Sequence, residues 1–389
     1  MAQLNITLNL DELTEAIMSS DMNAVMKSLA ITVFNTYMEV ERDHYIQAKK
    51  YERTTERIDQ RNGYYERDFV LNVGKVPLRV PRTRLGEFQT EVFESYQRMD
   101  KAFVLSMVEM VVNGVSTRKV TKIVEQLCGE NVSKSFVSDV MTHLDPVIDE
   151  FKTRSLSHST FRYLYVDAMY IKVREENQVV SKAVYIAQGV NQDNKREIVG
   201  FMVAEEESEA AWSRFFMNLR TRGLQTPKMV ISDAHAGLKA AIKKIFVGAI
   251  WQRCTFHFLC NIMDQMPKKD SRDQRRTVRA ILQAPTPQHA RELKAEFEEA
   301  LNENPKYTKA LETLDAGFED AIQYMSEPEL YHVSLRTTNS VERINREIRR
   351  RDKVIGIYPN ITSAERLIGS ILIDIHDEWM KNKRTFLKV

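Results

Sequence analysis

The chain has 389 residues, 43% hydrophobic and 28% charged, an ordinary folded composition long enough for two to four domains. A net charge of +2 excludes a uniformly basic coat for nucleic acid, and three cysteines exclude a disulfide-framed scaffold and point to a reducing interior. No apolar run reaches the ~18 residues of a membrane span, and MAQLNITLNLDELTEAI lacks a basic stretch before an apolar core, so the expectation is a soluble cytoplasmic protein without a membrane partner. The charge is uneven, however. Residues 49–84 carry 10 Lys/Arg against 5 Asp/Glu and residues 336–389 carry 12 against 7, each a net +5, which suggests local polyanion contacts.

Residues 1–48 read as an N-terminal helical region, with Leu10, Leu13, Ile17, Val25, Leu29, Val33 and Tyr37 at helical spacing. A small basic β element occupies 49–100. Turn signals at Asn62-Gly63 and Val73-Gly74-Lys75 flank a β-branched, aromatic run, so a hairpin or three strands should project Arg79, Arg82 and Arg84 outward. Those arginines form either a solvated basic face or phosphate contacts.

Over 101–154 the pattern is helix, helix, turn, helix. Ser116 opens STRKVTKIVEQLC, Gly129 breaks it, and Ser133 caps SKSFVSDVMTHL. This fits a helix-turn-helix in which Ser133, Lys134, Ser135 and Ser138 enter a DNA major groove and Arg118 and Lys119 add contacts, although ordinary helical hairpins have the same pattern.

From 155 to 253 three strand-like runs with short connections are followed by a helix, a strand, a helix and a short strand. That order is α/β and matches a ribonuclease-H-like mixed sheet. Residues 254–330 are polar, helical and punctuated by five prolines, an all-helical insertion, and 331–389 complete the core with two helices.

The first strand, YLYVDAMYIKV, has Asp167 in its middle, on the face shared with Tyr163, Tyr165, Met169 and Ile171. Both faces are largely apolar, so this carboxylate either has a cationic partner or is a strand-edge acid bonded to a turn. Asp233 ends KMVISD, and Glu342 lies in TTNSVERINREIRRR. Three carboxylates within ~5 Å would repel by ~3 kcal/mol per pair at an effective dielectric near 20, which a divalent metal pair relieves. The plainer roles are an N-cap for Asp233, and a capping box or an Arg346 ion pair for Glu342. Helix periodicity buries Val341, Ile344 and Ile348 and sets Glu342, Asn345, Arg346 and Arg349 on an adjoining polar face, with Arg350 beside them. That face suits a held phosphodiester, and Asn339 and Asn345 could position the same group.

Cys254, His257 and Cys260 resemble half a zinc site, but no second cluster completes it, and a zinc reading is not favoured. His257 and His235 are candidates for polar contact near a reacting phosphate. Trp212 and Trp251 read as core, with base stacking the other role open to Trp251.

RNGYYERDFVLNVGKVPLRVPRTRLGEF, GVSTRKV with VSKSFVS, YLYVDAMYIKVR, VISDAHAGL, WQRCTFHFLCNIM and TTNSVERINREIRRRDKVIGIYPN together resemble the bacterial insertion-sequence transposases of the Mutator superfamily. The resemblance includes the Cys254/His257 pair, a long helical insertion, and acid spacings of 66 and 109 residues. It implies a DDE transposase in which Asp167, Asp233 and Glu342 bind two Mg²⁺ (or Mn²⁺) ions, with no nucleotide cofactor. One ion would activate water and later a DNA 3′-hydroxyl, and the other would stabilise the leaving oxygen. It further implies double-stranded DNA partners (terminal inverted repeats and target), at least a homodimer, a nucleoid-associated location, and copy-out followed by paste-in. The alternatives are a nuclease or resolvase on the same fold and a non-catalytic DNA-binding regulator.

Overall fold

The computed structural model describes residues 22–71, 73–93, 101–128, 132–269, 271–382 and 385–387. Leu10, Leu13, Ile17 and the helix break at Gly129 lie outside the described residues. The chain divides into two compact units, Met1–Thr142 and His143–Val389.

In the first unit, helix α1 (Met22–Ile46) precedes an antiparallel hairpin of β1 (Arg61–Leu71) and β2 (Gly74–Thr83). Alternation puts Phe69, Val76, Leu78 and Val80 on one face, buried with Met38 of α1. Asn62-Gly63 is not the turn expected from its composition. The register shifts between Arg61 and Tyr64, and Gly63 takes φ +69°, so the pair forms an irregularity inside β1. The same φ > 0 preference serves bulge and turn alike, which is why local sequence does not separate them. Helices α2 (Lys101–Val112), α3 (Thr117–Cys128) and α4 (Lys134–Val140) follow, the last capped by Ser133, whose Oγ accepts from the Phe136 N–H at 3.0 Å.

The second unit opens with α5 (Asp145–Thr153) and is built on a five-stranded mixed sheet. Its strands are β3 (Phe161–Glu175), β4 (Gln178–Asn191), β5 (Arg196–Ala204), β6 (Met229–Ser232) and β7 (Ile250–Arg253). The spatial order is β5-β4-β3-β6-β7, antiparallel through the first three and parallel from β3 to β7. Short turns join β3 to β4 to β5. The parallel strands instead need crossovers, supplied by α6 (Glu209–Thr221) and α7 (Ala236–Ile245).

Period-2 alternation in β3 feeds two different cores. Leu164 and Val166 face α6 and α7, against Trp212, Phe215, Leu238 and Ile242. Tyr163, Tyr165, Met169 and Ile171 face the other layer, helices α13 (Asn339–Ile355) and α14 (Ile361–Lys381). There Val341, Ile344, Ile348, Leu367, Ile368 and Ile371 are buried, each such side chain contributing about 1.5–3 kcal/mol. Between β7 and α13 the chain is helical: α8 (Thr255–Asp264), α9 (Arg272–Ile281), α10 (Pro287–Leu301), α11 (Thr308–Ala321) and α12 (Glu329–Leu335). Their apolar faces join the same core through Phe258, Ile281, Phe297 and Phe318. After α13, Gly356 turns at φ +76°, and Tyr358 bridges to Val173 beside β3.

Candidate active site

Asp167 lies mid-way along β3, on the α13 side of the sheet. In the parallel register Tyr165 pairs with Ile231, so two residues further along both strands Asp233 falls beside Asp167. Asp233 is not a helix cap: α7 begins three residues later with His235 at its N-cap position. Nor does Glu342 belong to a capping box, for Thr338, the residue before α13, caps no backbone N–H with its side chain. Its hydroxyl lies 3.0 Å from Glu342 Oε1 and 3.3 Å from Cys254 Sγ, and its N–H donates to the same sulfur at 3.5 Å.

Each acid is held by a neighbour. Asp167 Oδ1 accepts from the Ala168 N–H at 2.9 Å, and its Oδ2 accepts from Asn345 Nδ2 at 2.6 Å. Asn345 stands three residues after Glu342, so one side of α13 delivers both an acid and the amide that orients another acid. His257, in the first turn of α8, hydrogen-bonds Asp233 Oδ1 through Nδ1, and its Nε2 lies 3.7 Å from Glu342 Oε1. One imidazole therefore spans the second and third acids.

Burial, then the Asp233 charge, pushes Asp167 up to about 7, with Glu342 adding to the rise and the Ala168 N–H and His257 opposing it. The hydrogen bond that its ring donates to Asp233, then the one to Cys254, raises His257 to about 11 against burial. The pocket thus holds more negative charge than its surroundings neutralise, which is the condition that a bound cation relieves.

Two donor sets share Asp233. Asp167, Asp233 and Glu342 are hard oxygen donors of the kind that Mg²⁺ or Mn²⁺ takes. Asp233, Cys254 and His257 bring ligand atoms within 4.8 Å of one another, a softer set that suits zinc. The sulfur already accepts from Thr338 and the imidazole is turned onto two carboxylates, so hydrogen bonds within the pocket engage the softer set. Cys260 stands outside this group.

Asn345 is buried on Asp167, whereas Asn339, Arg346, Arg349 and Arg350 are exposed along α13. His235 Nδ1 pairs with Glu207 at 3.4 Å. Trp212 and Trp251 are both buried, and the Trp251 Nε1–H donates to Ser232 Oγ at 2.8 Å, so neither presents a free ring face. In the first unit Arg79, Arg82 and Arg84 are exposed, the first two lying over Tyr64 and Tyr65 at 4.7 and 4.6 Å. Arg118, Lys119, Ser133, Lys134, Ser135 and Ser138 are exposed as well. Sequence reasoning missed Thr338 and the Asn345–Asp167 bond. The i, i+3 spacing of Glu342 and Asn345 was the available signal for the latter.

The family model of Mutator-family transposases matches residues 1–382. The chain is 51% identical over 387 residues to the transposase for insertion sequence element IS256 in transposon Tn4001 of Staphylococcus aureus, covering 100% of this chain and 99% of that protein. It is 40% identical over 360 residues to the transposase for ISRM5 of Rhizobium meliloti, with 92% and 89% of the two chains covered. The transposase for IS1081 of Mycobacterium tuberculosis is 35% identical over 376 residues, covering 96% and 89%. With a match along nearly its whole length, the chain belongs to the Mutator family of transposases.

Proposed function

We propose that this transposase carries a DDE centre on a ribonuclease-H-like core, and that Asp167, Asp233 and Glu342 nick the ends of an insertion sequence and join them to new DNA. The observation that carries the reading is the register that sets Asp233 beside Asp167, with His257 tying Asp233 to Glu342. The strand order, three antiparallel strands followed by two parallel ones, supports the core assignment.

The three carboxylates would hold two Mg²⁺ or Mn²⁺ ions. When bound, these neutralise the pocket and supply the acid that makes a phosphodiester attackable. The chain's own residues set the geometry. Asn345 and the Ala168 N–H fix both oxygens of Asp167, so its carboxylate cannot rotate away. His257 fixes Asp233 and carries its proton at neutral pH, adding positive charge where phosphate oxygens approach. Arg346, Arg349 and Arg350 continue that charge along the exposed side of α13 as phosphate contacts, and Asn339 adds a neutral side-chain amide at the start of the helix.

In the first step water oxygen bonds to phosphorus and the bond to the 3′ oxygen breaks, leaving a 3′-hydroxyl. In the second, that hydroxyl bonds to another phosphorus and releases a new 3′-hydroxyl. The hairpin arginines and helices α3 and α4 would hold the terminal inverted repeats in a homodimer, and copy-out then paste-in is the proposed order. The test combines purified protein, the DNA ends flanking its gene, and Mg²⁺. Joined strands support the reading, cutting without joining leaves a nuclease, and binding alone leaves a regulator.

A further inference from the structure

The first unit contains a cavity of about 510 Å³ between the hairpin and residues 84–93. We propose that it takes one unpaired nucleotide of a DNA strand, a deepening of the reading that this protein handles DNA ends.

The walls follow from strand alternation. Tyr65 and Arg67 share a face of β1, and across the register Val80 and Arg82 of β2 join them. Gly86, at φ +77°, turns the chain so that Phe88 and Phe93 close the other side. Arg82 lies over Tyr65 at 4.6 Å and Arg67 over Phe93 at 4.2 Å, so two guanidiniums are seated on rings, and Arg84 adds a third cation. Among the described residues that line the cavity, none carries a carboxylate.

Size and chemistry select the ligand. A phosphate on a duplex surface needs cations but no concave site with aromatic residues in its lining. The volume falls within the roughly 300–1,000 Å³ of clefts that take a small organic ligand. Phe88, together with the planar guanidiniums seated on Tyr65 and Phe93, offers surfaces for a base out of its stack with its phosphate alongside. Asn62 and Gln89 add side-chain amides that can pair with a base edge. Strand ends, the products of the proposed nicking, supply such nucleotides.

The full chain is titrated with fluorescein-labelled oligo(dT) of about twelve nucleotides, a length within known single-strand site sizes, and with a blunt duplex from the DNA flanking its gene. Phe88→Ala should weaken oligo(dT) binding about 10-fold through lost stacking, change duplex binding less than 2-fold, and be rescued by Phe88→Tyr. Oligo(dT) carrying 5-bromouracil should crosslink to Tyr65, Phe88 or Phe93 in the wild-type chain, a readout that needs no variant to fold. Equal affinity of wild type and Phe88→Ala for oligo(dT), equal losses on both probes, or crosslinks only elsewhere would each overturn the inference. Wild-type protein that binds the duplex but not oligo(dT) defeats this cavity assignment alone. Binding to neither probe defeats the DNA-end reading itself.

Discussion

Asp167 and His257 make the pocket's stability depend on pH in a single direction. Asp167 is raised to about 7 from an ordinary carboxylate value of ~3.9, so between those values the folded chain holds more protons there than the unfolded one. The stability tied to that proton is complete below the lower value and lost as pH rises through about 7. His257, raised to about 11 from ~6.5, contributes in the same sense, its share fading from near neutrality upward. The expected outcome is a metal-free Tm that falls by a few °C from pH 6 to pH 9. Mg²⁺ should raise Tm more at pH 8 than at pH 6, since a cation replaces the protons. Asp167→Asn should flatten the fall around neutrality, remove the Mg²⁺ increment and abolish nicking, while DNA affinity stays near wild type. A differential scan across pH checks the first two, and an unchanged slope in Asp167→Asn would refute the electrostatic account. Asn345→Ala, which frees Asp167 Oδ2, should weaken Mg²⁺ activation by about 10–100-fold without altering DNA affinity, the usual cost of removing a group that orients a metal ligand.

Individual elements carry the site to different degrees. Strand β3 was legible in the sequence because alternation has a period of two, and Tyr163, Tyr165 and Met169 lie on the opposite core from Leu164 and Val166 as that period requires. The apolar stripe of α13, Val341, Ile344 and Ile348, was legible for the equivalent reason. Partners such as Asn345 for Asp167, 178 residues apart, or Thr338 for Cys254, 84 apart, were not. They depend on how far a helix slides along a sheet, and periodicity within one element contains no information about that. The helical segment has its own tight point at Gly317 of α11, where an added Cβ would sit 2.7 Å from Phe258 Cε2 and also meet the Arg253 guanidinium. Alanine gains ~1 kcal/mol of helix propensity there but overpacks a full interior at about 1–3 kcal/mol. Gly317→Ala should therefore lower Tm by a few °C in a circular-dichroism melt. Because Arg253 and Phe258 flank Cys254 and His257 along the chain, nicking should fall more than that stability loss explains.

At the scale of the whole molecule, a net charge of +2 gives little general attraction for DNA, so affinity has to come from where the cations stand. Each phosphate that a cation neutralises releases counterions, and the logarithm of affinity falls against the logarithm of salt with a slope of about −0.9 per contact on duplex DNA. Arg349 is exposed on α13, among the proposed phosphate contacts. Arg291 is exposed too, but its guanidinium donates to both oxygens of Glu319 at 2.9 and 2.8 Å, so an internal anion already neutralises it. The two substitutions remove the same formal charge from the same chain. If long-range net charge governed binding, Arg349→Ala and Arg291→Ala would weaken it alike. If local contact governs it, Arg349→Ala should lower affinity and reduce the magnitude of the salt slope by about one, while Arg291→Ala leaves the slope unchanged. Anisotropy titrations of both variants on the flanking duplex across a salt series decide between them, and equal slopes in the two variants would remove α13 from the DNA path.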